Sequence, residues 1–114
     1  MKDDEKIHCP HPNDVDRKRI ERTLTQRLRY RYVSPEVCPI ENGYQIKSPC
    51  CSRNIDKSGG VIDVARLEFV AAQQIWRLYR KEHTQSQWLL HSEFERLAEL
   101  MQQLNQDPER IFWQ

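Results

Sequence analysis

The stretch VIDVARLEFVAAQQIWRLYRKEHTQSQWLLH (residues 61–91) is where hydrophobic pattern bears hardest on the fold. Read with a period of 3.6, Val61, Val64, Ala65, Phe69, Ala72 and Trp76 line one side of a helix, and the alanine and glutamine content agrees with that reading. Read with a period of two, Ala65, Leu67 and Phe69 share one side of a strand, and Trp76 and Leu78 do so on a second strand beyond the connection AAQQ. Periodicity alone does not separate a long helix from a hairpin here. The segment QWLLH (87–91) reads as a further short strand.

The flanking segments are easier to read. After a charged, proline-punctuated arm at residues 1–13, Asn13 or Asp14 is placed to cap a helix, because a short side-chain oxygen can accept a free amide proton of the first turn. The helix then expected over 14–33 carries Ile20, Leu24 and Leu28 on one narrow stripe. Ser34-Pro35 should end it, since the residue before proline disfavours helical dihedrals. Residues 43–48 read as a short strand interrupted by Pro49, and residues 50–60 as a loop. At the other end, Ser92 and Glu95 have the spacing of a capping box. Phe94, Leu97, Ala98, Met101 and Leu104 then form a core-facing stripe, which Asn105 and Pro108 terminate. The ending RIFWQ is too apolar for a free tail and should dock on the core.

Length and charge narrow the class. A chain of 114 residues supports one modest core, and a net charge of +1 gives no overall attraction to a polyanion. The charge is nevertheless uneven: Arg17 to Arg31 holds seven basic residues and one acid, whereas Glu82 to the end holds six acids and two basic residues. No apolar run approaches the roughly 20 residues that span a bilayer, and the first residues lack a secretory apolar segment, so no membrane association is expected and the expected compartment is the cytoplasm. The four cysteines then read as free thiols or metal ligands rather than a disulfide framework.

Three segments together resemble an uncharacterised bacterial family, domain of unknown function family 3024. They are RKRIERTL on the leading helix, VARLEF with IWRLYRKE and QWLLH, and the ending DPERIFWQ. The resemblance runs from about residue 14 to the carboxyl terminus. It implies a hairpin before the Trp76-Arg77-Leu78-Tyr79 strand, and therefore strands at 62–70, 75–82 and 86–91 in a meander. The fold class expected is α+β: a leading helix, a small antiparallel sheet and a closing amphipathic helix packed on one face, as a single domain over 14–114 preceded by a flexible arm at 1–13. The family brings no activity with it.

Several residues carry possible chemistry. Cys9, His11, Cys38, Cys50 and Cys51 are the candidate ligands of a tetrahedral zinc ion, with His8 in reserve, although no C-x2-C knuckle is present. A disulfide between the adjacent Cys50 and Cys51 would be strained, because neighbouring Cα atoms lie only about 3.8 Å apart. Unligated, reduced thiols are the expectation, and no cofactor is expected; zinc is the alternative. Lys18, Arg22 and Arg29 form a possible anion-contact face on the leading helix, opposite Ile20 and Leu24. Solvated charge explains them equally well, and no nucleic-acid complex is expected. Trp76 and Trp88 read as core, and the exposed neighbours of Tyr79 as a binding surface. Catalysis would need Cys50 or Cys51 with His83 or His91, and no nucleotide or paired-carboxylate motif appears. The expected role is a non-catalytic binding or protein-interaction module. Nucleic-acid binding through the basic helix, a zinc-stabilised module and a Cys/His enzyme are the alternatives.

Overall fold

The computed structural model describes residues 10–27, 34–49 and 60–113. The leading helix α1 (Asp14–Leu24) begins where Asn13 Oδ1 accepts the Asp16 amide at 2.7 Å, with Asp14 and Asp16 favourably placed at the positive end of the helix dipole. Ile20 and Leu24 are its buried positions. The helix is shorter than the expected 14–33. The amides of Thr25, Gln26 and Arg27 bond three residues back, to Arg22, Thr23 and Leu24, which tightens and ends the last turn. Arg27 also folds back: Nη1 donates to the Leu24 carbonyl at 2.8 Å, and the guanidinium stacks over Trp113 at 4.9 Å. Tertiary contact with the far end of the chain stops this helix before the proline does.

Five strands follow: β1 (Glu36–Ile40), β2 (Gly43–Pro49), β3 (Val61–Val70), β4 (Ile75–Glu82) and β5 (Gln87–Phe94). They form one antiparallel sheet in sequence order, each paired with the next. The ambiguous segment is thus a meander. Its first connection, residues 71–74, is closed by the Gln74 amide on the Val70 carbonyl at 2.8 Å, with Gln74 itself at φ 57°. A glutamine occupies a left-handed position that glycine or asparagine fills at lower cost, so the turn lacks its usual sequence signal. Strand β1 was not expected; Pro39 obscures it, and its position at the sheet edge is what tolerates a residue without an amide proton. Gly43 opens β2 close beneath β3, where a Cβ would run into the carbonyl oxygen of Leu67.

The closing helix α2 (Leu97–Gln106) starts later than the capping-box reading implies. Ser92 lies in β5 opposite Leu78, Phe94 pairs with Trp76, and Arg96 occupies the cap position without a side-chain bond. The box fails because strand pairing to β4 claims the backbone that the helix would have used. Met101 and Leu104 are buried as expected, Leu100 is buried without having been part of the expected stripe, and Ala98 is exposed.

Both helices lie on one side of the sheet, with Ile20, Leu24, Leu100, Met101 and Leu104 packed against Val37, Tyr44, Ile46, Leu67, Trp76 and Leu78. The tail docks there too, with Phe112 and Trp113 each 1% exposed. The device that turns it inward is Asp107, which ends α2 in a left-handed conformation and whose buried carboxylate accepts the amides of Ile111 (2.8 Å), Phe112 (3.1 Å) and Trp113 (2.8 Å). Trp113 Nε1 donates to the Leu104 carbonyl at 2.9 Å, so the indole is buried with its polar atom satisfied.

Candidate interaction surface

Alternation along each strand sends every second side chain to the side of the sheet away from both helices. On β3 and β4 that outer row includes Asp63, Arg66, Glu68, Arg77, Tyr79 and Lys81, as the cross-strand partners Arg66–Tyr79 and Glu68–Arg77 indicate. On β5 it includes Trp88, opposite Lys81, and Leu90, opposite Tyr79. The sequence expectation that Trp88 is core is therefore corrected. Trp76 is 5% exposed, whereas Trp88 is only partly buried, because its register with Lys81 turns it to the opposite side.

The outer side chains interlock. Lys81 Nζ is 3.1 Å from Asp63 Oδ2 and 4.8 Å from the centre of the Trp88 ring. Gln45 Nε2 donates to the other Asp63 oxygen at 2.7 Å, so one carboxylate ties β2 to β4 across β3. Tyr79 donates its hydroxyl to Glu68 at 2.8 Å, and Arg66 lies over the Tyr79 ring at 5.9 Å. Arg77 Nε donates to Glu93 at 3.0 Å. Burial, followed by the Glu68 hydrogen bond, pushes the Tyr79 hydroxyl above its ordinary pKa, so it stays a neutral donor at physiological pH. At the far end of β4, the Thr84 hydroxyl bonds Glu82 and lowers that carboxyl, and burial beside Lys81 lowers His83. The arrangement supplies fixed donors, fixed acceptors and aromatic faces on one side of the sheet, with Leu90 51% exposed beside them.

The residues singled out as ligands are distributed differently. Cys9, Cys50 and Cys51 lie outside the described residues, as do Arg29 and His8. His11 is on the helix side of the sheet. Its ring packs edge-on against Trp76 (4.6 Å), Phe69 (5.0 Å) and Tyr44 (5.8 Å), and Nδ1 is 3.0 Å from the Tyr44 hydroxyl. The same hydroxyl accepts the Asn13 amide at 3.0 Å, and Asp16 lies 3.5 Å from His11 Nδ1. Desolvation outweighs the attraction of Asp16 and holds the imidazole below its ordinary pKa. The last residues of the expected arm are therefore anchored to the sheet, by a histidine whose side chain is only 9% exposed.

Cys38, by contrast, follows the buried Val37 and pairs with Gln45, which places it on the outer side. Its thiol is raised above the ordinary value by burial, then by Glu36, the reverse of an activated nucleophile. His11 and Cys38 thus sit on opposite sides of the sheet, and among the described residues no three His, Cys, Asp or Glu side chains gather to hold a metal.

Of the basic helix residues, Lys18 and Arg22 are exposed, while Arg17 and Arg19 pair with Asp14 (3.6 Å) and Asp16 (3.2 Å) on their own helix. His83 follows the end of β4 in the turn to β5, whereas His91 lies within β5 and packs on Phe112 at 5.2 Å. Between the helices, Thr23, Gln26, Ala98, Gln102, Asn105 and Gln106 line a groove of about 360 Å³ that the sequence did not disclose, because its two walls are 72 positions apart at their nearest lining residues, Gln26 and Ala98. Sequence reasoning also missed Asp63 and Arg66, whose importance depends on strand register and leaves no local motif.

No helix among the described residues is long and apolar enough to cross a membrane. A family model described as domain of unknown function DUF3024 matches residues 9–114. No curated protein and no solved structure matches the chain.

Proposed function

The chain belongs to the DUF3024 family, and from that premise we propose that it is a non-catalytic protein-interaction module that binds through the outer side of its sheet. The observation that carries this reading is the row Asp63, Arg66, Glu68, Tyr79 and Lys81, locked by the bonds described above on a side that neither helix occupies. Such a surface is held in place before a partner arrives, so little side-chain entropy remains to be lost on binding. Aromatic rings and arginine are the groups that dominate binding energy at protein interfaces. The cations have acidic neighbours, which favours a protein partner over a polyanion. The raised Cys38 thiol and the hydrogen-bonded, buried His11 support a role without catalysis. A bacterial cytoplasm is the compartment in this reading, supported by four cysteines of which Cys38 is a free thiol. No cofactor is assigned.

The test is a comparison of affinity captures made with the full chain. A partner protein held by the unmodified chain should be lost from the double variant Arg66→Glu with Tyr79→Ala and retained by Lys18→Ala with Arg22→Ala. Loss from the helix variant instead, or capture of nucleic acid with a steep salt dependence, would reverse the assignment.

A further inference from the structure

The two edges of the sheet are treated differently by the sequence. β1 is five residues long and carries Pro39, both of which discourage another strand from pairing there. β5 is eight residues long, contains no proline and no lysine or arginine, and has no neighbouring strand on its outer edge among the described residues. It also bears Leu90, one of the most exposed large apolar side chains among the described residues. An edge left open in this way presents a row of amide and carbonyl groups to any extended segment.

The strand's own pattern selects its partner. Directly opposed residues of an antiparallel pair lie on the same side of the sheet, so a register is acceptable only if it matches side to side. In β5, Trp88 and Leu90 face outward and Leu89 inward, and the pairing to β4 skips His91, which shifts the alternation from Ser92 onward. For β5 against a second β5, a twofold axis at Leu89 sets Trp88 opposite Leu90 of the second copy, and Leu90 opposite its Trp88, all facing outward. An axis at Leu90 would set outward Trp88 against inward Ser92, and an axis midway between Leu89 and Leu90 would set inward against outward. An axis at Trp88 also matches side to side but pairs only residues 87–89 of the strand; the Leu89-centred register spans 87–91 and leaves Glu93, the one acidic residue of the strand, outside it, so no like charges meet.

We infer that β5 pairs antiparallel with β5 of a second copy of this chain, centred on Leu89, joining two five-stranded sheets into one. The pairing is isologous and closes as a dimer, with no edge of the same kind left to propagate. Trp88–Leu90 contacts across the axis are aromatic–aliphatic cross-strand pairs of the kind that stabilise sheets. The inference concerns the backbone edge and stands apart from what the outer side of the sheet binds.

Sedimentation equilibrium of the full chain from about 1 μM to about 1 mM tests it, spanning the weak affinities that a five-residue pairing would give. The expected result is a monomer–dimer equilibrium. Leu90→Lys would set a cation against the second copy's Lys81, which lies over Trp88, and should weaken the dimer at least about tenfold. Val61→Lys, at a comparably exposed residue of β3, should leave it unchanged. Independently of any variant, amide exchange in 87–91 of the unmodified chain should slow as concentration rises. A monomer throughout the range, a dimer that survives Leu90→Lys, or exchange in 87–91 that ignores concentration would each overturn the inference.

Discussion

The two sides of the sheet are built from the same strands and carry opposite physics. On the inner side Tyr44, Leu67 and Leu78 are fully buried, and polar groups that enter are held by fixed partners, as the tail amides are by Asp107 and His11 is by Tyr44. On the outer side the contacts are ionic and partly exposed, Arg77 to Glu93 more so than Lys81 to Asp63. The difference teaches which contacts hold the fold and which only shape a surface. Burial of apolar area scales with area and is insensitive to salt, whereas exposed ion pairs lose much of their attraction to solvent screening.

The comparison is broken most directly at Trp76. Trp76→Ala should cost about 3–5 kcal/mol in denaturant unfolding, since it empties the centre of the inner aromatic group. A loss under about 1 kcal/mol would mean that the inner side is not what holds the fold. Next comes Asp107→Ala, which leaves the amides of Ile111, Phe112 and Trp113 without their acceptor. We expect a loss of about 2–3 kcal/mol, on the scale of hydrogen bonds to a charged group, and release of the Trp113 indole to solvent, visible as a red-shifted tryptophan emission.

The His11 anchor should appear as pH dependence. Its pKa is depressed in the fold, so the unfolded chain binds the proton more readily. The neutral ring's contribution is complete above the unfolded value near 6.5 and is lost as pH falls through the lower folded value. Stability should decline on acidification below about pH 6.5, and His11→Phe should flatten that decline. His83, also depressed, contributes with the same sign, so His83→Gln is the control that apportions the slope. An unchanged acid slope in His11→Phe would show that the anchor is not the titrating element.

Smaller effects belong to the outer side. Lys81→Met should change stability by only about 0.2–1 kcal/mol, and that difference should shrink in high salt. Arg22→Ala, on the exposed side of α1, should stay within about 0.5 kcal/mol of the unmodified chain. Either variant matching Trp76→Ala in cost would erase the contrast between the two sides.

Much of this organisation was legible in the residues. The Asn13 cap, the Ile20–Leu24 stripe and the Leu97–Leu104 stripe follow from local side-chain chemistry and helical spacing, and the apolar tail announced its own docking. The α+β order came with the family resemblance, which resolved the 61–83 segment where periodicity could not. The outer surface was legible only as the neighbours of Tyr79, because Asp63, Arg66 and Lys81 become a unit through register.

What the sequence determined by itself, then, was the set of periodic faces: which residues must be covered wherever their element packs. Local hydrogen bonding and hydrophobic spacing act within a few residues and are written directly in the chain. Tertiary structure alone decided that Ser92 joins a strand rather than caps a helix, that α1 stops at Leu24 under Arg27 and Trp113, and that Trp88 faces outward while Trp76 faces in. Each of those outcomes turns on a partner many positions away, and a β-ladder offset by one residue reverses every side chain it carries.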